Sequence, residues 1–217
     1  MVLNTLNLFL RFLKLKELKI ENGQIIFAGE NWTLSNITFF YLLQKYFEEK
    51  DEIWKLYLLY WLAGLIGIAK FVSRYKLSKP DDIYNWGMML GEMLGLGCFK
   101  THYYNWQAFT YVEIKGYPLL QYNLKIPELI IVASMAGGAC LVHNSIVESY
   151  TVERNKDHVK FILGTIDYLK QNGYYEKIKG IYNLDTILPI QKEVYRIVVE
   201  EKDFSYKKIS QIFLKIL

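Results

Sequence analysis

Three histidines and two cysteines are the side chains of this 217-residue chain best suited to nucleophilic or metal chemistry. Cys140 and His143 are three residues apart, a spacing that lets them face each other on a helix. A Cys–His nucleophile also needs an exposed thiol with a lowered pKa. The surrounding run, LIIVASMAGGACLVH, is apolar, so packing is the expected role of both. Neither Cys98 nor Cys140 has a C-x-x-C or C-x-H neighbour, which removes a metal knuckle or a thioredoxin-like motif. One disulfide stays open beside the reading of both thiols as inert core residues. No Gly-x-Ser-x-Gly elbow and no P-loop lysine is present, and Gly95-Leu96-Gly97 precedes a strand instead of opening a helix. Glu113 and Glu148 are strand carboxylates that could converge on the sheet. No catalytic constellation is visible, so the chain is read as non-enzymatic, with no cofactor and no metal.

A pocket for an apolar ligand needs aromatic and aliphatic walls with few polar groups. Met88, Met89 and Met93 lie on one predicted helix, Met135 on another and Trp61 on a third, and methionine adapts to irregular cavities. The candidate ligand set is therefore Trp61, Leu65, Met89, Met93, Phe109, Tyr111 and Met135. The competing reading is that each merely fills the core, since close-packed interiors are the rule.

These residues need elements to hold them. Residues 16–28 read as a hairpin about the Asn22-Gly23 turn. A helix from about Asn36 to Lys50 carries Phe39, Leu42, Leu43 and Tyr46 at helical spacing. The most apolar helix follows, about Glu52 to Tyr75, and its Gly64 and Gly67 point to close approach by another backbone. Ser78-Lys79-Pro80-Asp81-Asp82 starts a helix that runs to Gly95. Aromatic strands cover about Phe99 to Trp106 and Ala108 to Ile114. In the second, Phe109, Tyr111 and Glu113 share one face and Ala108, Thr110, Val112 and Ile114 the other. A helix with Gly137-Gly138 comes next, where the pair serves either tight packing or room for a ligand. A hairpin from Ile146 to Leu163 turns at Arg154-Asn155-Lys156-Asp157. Beyond Gly164 the pattern is helical only, with helices at about Pro189 to Glu201 and Tyr206 to Ile216. The expected organisation is a ligand-binding domain over 1–164 and a helical extension over 165–217.

Composition sets the outer bounds. Hydrophobic residues make up 52%, charged residues 22% and aromatics 16%, which excludes disorder and a coiled-coil rod. The first basic residue is Arg11 and no small-residue cleavage site follows, so the N-terminus is not read as a secretory signal. The 14-residue run between Lys55 and Lys70 is too short to cross a bilayer core of about 30 Å. A mean hydropathy of +0.07 is low for a polytopic membrane protein. The chain is expected to be soluble and cytoplasmic, without a membrane span.

The net charge of +4 falls short of a nucleic-acid footprint. The tail PIQKEVYRIVVEEKDFSYKKISQIFLKIL resembles the first half of a helix-turn-helix, which would make Lys207, Lys208 and Lys215 duplex-DNA contacts. From residue 165 on, nine Lys and Arg face seven Asp and Glu, too balanced for a strong phosphate surface. A dimerisation arm, with Ile209, Ile212, Phe213 and Ile216 as its apolar stripe, is the preferred reading of the tail, and a homodimer the expected assembly.

Four segments resemble the 4-vinyl reductase domain family, within the superfamily of trafficking-complex and haem-NO-like ligand-binding domains. They are NGQIIFAGENWTL, LLYWLAGLIGIAKF with Tyr60, Gly64 and Gly67, LGEMLGLGCF, and MAGGACLVHNSIVESY, in that order over about residues 17–163. The resemblance implies an α+β fold, an antiparallel sheet packed against apolar helices, that binds a small hydrophobic molecule or lipid, often as the sensor half of a regulator. A structural or interaction subunit like the trafficking-complex relatives is the alternative. Typical members carry a Glu followed three, seven and eleven residues later by Cys, Gly and Cys, with Phe two beyond, and in some the cysteines help form a metal site. Here Glu148 and Phe161 fit that frame, but Thr151, Asn155 and Val159 stand between. The resemblance thus implies that the metal site is lost, with His158 at most a remnant ligand.

Overall fold

The computed structural model describes residues 18–21, 24–27, 30–32 and 37–214; side chains before Ile37 and those of Met93, Tyr206, Lys207 and Phe213 lie outside that description, as does Lys215 entirely. Strands β1 (Leu18–Glu21), β2 (Gln24–Phe27) and β3 (Glu30–Trp32) form a three-stranded antiparallel sheet. Glu21 pairs with Gln24, the register of a two-residue connection, although Asn22-Gly23 itself lies outside the described residues.

Helix α1 spans Ile37–Glu49, and it packs on the core through Ile37, Phe40, Tyr41 and Phe47, not through the expected Phe39, Leu42 and Tyr46. Phe39, Leu42 and Tyr46 are each more than half exposed, while Gln44 and Glu48 are buried. The reason is backbone satisfaction: Gln44 donates to the carbonyl of Ile126, and Glu48 accepts the amide of Lys125 at 2.9 Å, in the loop that follows the central strands.

Helices α2 (Ile53–Tyr75) and α3 (Pro80–Met93) come next, with Lys76 ending α2 in a left-handed conformation at φ 52°. Strands β4 (Cys98–Asn105) and β5 (Phe109–Lys115), helix α4 (Leu129–His143), and strands β6 (Val147–Arg154) and β7 (His158–Thr165) complete the central unit. The four strands form one antiparallel sheet in the order β4-β5-β7-β6. Its final hairpin turns where the sequence places it, with Asn155 Oδ1 accepting the amides of Asp157 and His158 at 2.8 and 2.9 Å. The chain is therefore α+β, with an antiparallel sheet packed against apolar helices.

α5 (Ile166–Gln171), α6 (Tyr175–Tyr182), α7 (Leu184–Tyr195) with its π-turn (Arg196–Glu200), and α8 (Tyr206–Leu214) follow. Helix α7 starts five residues before Pro189, not at it. Burial of Leu184 and Ile187 overrides the missing proline N–H. These helices share one hydrophobic core with the rest: Leu169, Ile178, Ile187 and Val194 are fully buried, and Tyr182 stacks on Tyr57 of α2 at 3.9 Å. Ile209 and Ile212 of α8 are buried within this same chain, so the described part of the apolar stripe already has a cover.

Helix α2 extends past both Lys55 and Lys70. At 23 residues it is long and apolar enough to cross a membrane by length and composition, which corrects the count made on the run between the lysines. Its burial is that of a core helix: Leu56, Tyr57, Leu58, Trp61 and Leu65 have no exposed surface.

Candidate functional site

Helices α2 and α4 cross with their backbones in contact. A Cβ placed on Gly64 would lie 2.0 Å from the carbonyl oxygen of Ser134, and one on Gly137 would lie 1.8 Å from that of Trp61. Only glycine fits at either point. Helix α3 then closes over the pair, and Gly91 leaves the notch that the Phe99 ring of β4 fills, 2.6 Å from a hypothetical Cβ.

Between α2, α3 and α4, floored by Phe99 and Leu163, lies a cavity of about 330 Å³. Tyr60, Gly67, Ile68 and Phe71 line it from α2, Ile83, Tyr84, Gly87 and Met88 from α3, and Ser134, Met135 and Gly138 from α4. A Cβ on Gly67 would meet nothing within 4 Å, and one on Gly87 only the Ile68 Cδ1 atom at 3.7 Å. Glycine thus has two uses here: Gly64 and Gly137 bring backbones together, while Gly67 and Gly87 leave room.

No charged side chain lines the cavity among the described residues. The hydroxyls on its walls are those of Tyr60, Tyr84 and Ser134. Ser134 Oγ donates to Ile130 O at 2.8 Å, and Tyr84 accepts from Thr101 Oγ1 at 2.9 Å. Burial pushes both Tyr60 and Tyr84 up to about 12, so both stay neutral donors at physiological pH.

Of the residues expected to hold a ligand, Met135 is on the cavity wall. Trp61 and Leu65 are instead fully buried in the core, Trp61 donating to Val147 O at 2.9 Å. Met89 is half-buried beside the lining residue Met88, and the Met93 side chain lies outside the described residues. Phe109 and Tyr111 occupy the sheet face turned away from the cavity: Phe109 stacks on Tyr168 of α5 at 4.6 Å, and Tyr111 meets His102 at 5.7 Å. Strand alternation separates the two faces correctly but carries no sign for which one looks at the helices.

Of the candidate reactive groups, Cys98 is free and exposed, and the others are engaged elsewhere. Cys140 Sγ accepts the amide of Val147 at 3.3 Å, His143 Nε2 meets Thr110 Oγ1 at 3.1 Å, and burial pushes the Cys140 thiol well up. Glu113 pairs with His102 at 2.9 Å. Glu148 pairs with the Tyr57 hydroxyl, which also meets Ser149 Oγ at 3.2 Å. Opposite β7, Glu113 faces Lys160 and Glu148 faces Gly164, so the two carboxylates sit four residues apart along the sheet and do not converge. Near Glu148, Thr151 is half-buried, Asn155 sits in the hairpin turn, Val159 is buried, and His158 pairs with Glu153 at 2.8 Å. Among the described residues no three of His, Cys, Asp and Glu are grouped to hold a metal.

In the tail, Lys208 is held by Glu201 at 2.8 Å and Asp203 at 3.4 Å, which neutralises it locally. The Lys207 side chain and Lys215 lie outside the described residues.

No protein-family model matches the chain, and no curated protein does. Among the solved structures that match is the crystal structure of the phenol-responsive sensory domain of the transcription activator PoxR with phenol. It aligns with a TM-score of 0.58 at 10% identity, covering 74% of this chain and 92% of that domain. At that identity the likeness is one of fold.

Proposed function

We propose that this chain is a non-catalytic binder of a small hydrophobic molecule and serves as a sensor or regulatory protein. The carrying observation is the uncharged cavity of about 330 Å³ between α2, α3 and α4. It falls at the lower end of the roughly 300–1,000 Å³ usual for ligand sites. It is about twice the volume of an engineered apolar cavity that takes up benzene. The fold shared with a phenol-responsive sensory domain supports the reading. So does the order of motifs that resembles the 4-vinyl reductase domains, of which this chain would be a divergent relative without the cysteine pair. In this reading residues 1–164 are the ligand domain of a soluble, cytoplasmic protein and 165–217 a helical extension; a homodimer stays part of the proposal, though not through Ile209 and Ile212, which the chain itself covers.

The test is calorimetric titration with naphthalene, an uncharged two-ring probe. Binding to the wild-type protein, abolished in Gly87→Leu, is the expected result, because leucine at Gly87 grows into the cavity. Leucine also improves helix propensity by roughly 0.5–1 kcal/mol, so the variant should melt no lower than wild type. A wild-type protein that takes up no naphthalene would instead favour a structural subunit with a side-chain-filled interior.

A further inference from the structure

The cavity can be read for the chemistry of its occupant, an inference that rests on the ligand-binding function proposed above. Its described walls carry no Asp, Glu, Lys, Arg or His. An ion inside would lose its hydration without a counter-charge, at a cost of several kcal/mol. The occupant is therefore neutral.

Three hydroxyls border the space, and they differ in what they have left to offer. Ser134 has given its proton to Ile130 O, whereas Tyr84 accepts from Thr101 and keeps its own proton, which makes it the competing donor. Tyr60 lines the cavity, is half-buried, and makes no hydrogen bond to any described residue. A half-buried phenol that the chain leaves unpaired has its proton free for a molecule in the cavity, in place of water. A phenolic O–H is also a better donor than acceptor, so its natural complement is an acceptor oxygen.

We infer that Tyr60 is the specificity-determining residue of the cavity, donating its hydroxyl proton to the single acceptor oxygen of a neutral, otherwise hydrocarbon ligand such as a ketone, ether or ester. Gly67, two turns farther along α2, keeps the wall beside Tyr60 low, which gives a ring system space next to that oxygen.

Two shape-matched probes separate the hydrogen bond from the packing: 1-tetralone, which has a carbonyl oxygen, and tetralin, which lacks it. Both are titrated into the wild-type protein, Tyr60→Phe and Tyr84→Phe, with thermal melting confirming that each variant folds. The expected result is that Tyr60→Phe weakens 1-tetralone about three- to tenfold and leaves tetralin unchanged, the loss of one net hydrogen bond. Tyr84→Phe should leave the ratio of the two affinities as in wild type. If Tyr60→Phe weakens both probes equally, or neither, or if the selective loss appears in Tyr84→Phe instead, the role of Tyr60 is overturned while the ligand-binding function stands. If the wild-type protein binds neither probe, that function fails and the role of Tyr60 with it.

Discussion

Glu148 and His143 sit in the same interior and respond to it in opposite senses. Burial pushes the Glu148 carboxyl up to about 7, against the hydrogen bond from Tyr57 and the nearby Gln191 carboxamide, which pull it down. Burial pushes His143 down to about 4. The folded protein holds the Glu148 proton more tightly than the unfolded chain does. The stability from Glu148 is thus present at low pH and is lost as pH rises from about 4.5 through about 7. For His143 the stability is present above the unfolded value of about 6.5 and is lost as pH falls through about 4. The two slopes oppose each other over mildly acidic pH, and removing one exposes the other. Glu148→Gln should match wild type in urea denaturation at pH 5 and exceed it at pH 8 by on the order of 3 kcal/mol. A gap that does not change with pH would disprove the assignment. Both residues are visible in the sequence as candidate reactive groups. Their environments are not, because Tyr57 reaches Glu148 from 91 residues away.

Among the elements, the crossing of α2 and α4 shows how far a glycine pattern can be read. The sequence reads Gly64 and Gly67 as close approach by another backbone and leaves packing and open space as alternatives only for Gly137-Gly138. Gly64 fits that reading, and Gly67, which faces nothing within 4 Å, does not. Packing and open space both occur, a turn apart on one helix, and only the partner backbone distinguishes them. Gly137→Ala should destabilise the protein by about 3 kcal/mol or more, since the new methyl meets backbone that cannot move aside. Gly67→Ala meets nothing and should be neutral or stabilising by up to about 1 kcal/mol. Thermal melts of the pair check this, and equal melting temperatures would rule it out. Helix α1 shows the converse limit. Periodicity finds the helix but not its phase: the side that packs on the core carries Ile37, Phe40, Tyr41 and Phe47, and with them Gln44 and Glu48, which bind backbone at Ile126 and Lys125.

For the whole molecule, the type and order of the longer elements are legible in the sequence, since long periodic runs separated by glycine and proline survive tertiary packing. The three-residue strand β3 is too short to show a period and is missed. The cavity is legible only in outline: apolar helices with methionine and glycine around an aromatic hairpin. Which side chains line it depends on helix rotation, and that is how Met88 and Tyr60 replace Met89 and Trp61. The change of pattern near residue 165 is real, yet the helices beyond it bury Leu169, Ile178 and Ile187 in the common core. A chain ending at Thr165 should therefore lose its cooperative melt by circular dichroism, and a sharp, wild-type-like transition would show that the first 165 residues stand alone. The same core puts a burden on biosynthesis. Until β6 and α4 emerge to cover it, α2 is a 23-residue apolar segment with the length and composition of a bilayer anchor. The ribosome releases it tens of residues before its partners, so folding has to outrun insertion into any nearby membrane or capture by chaperones.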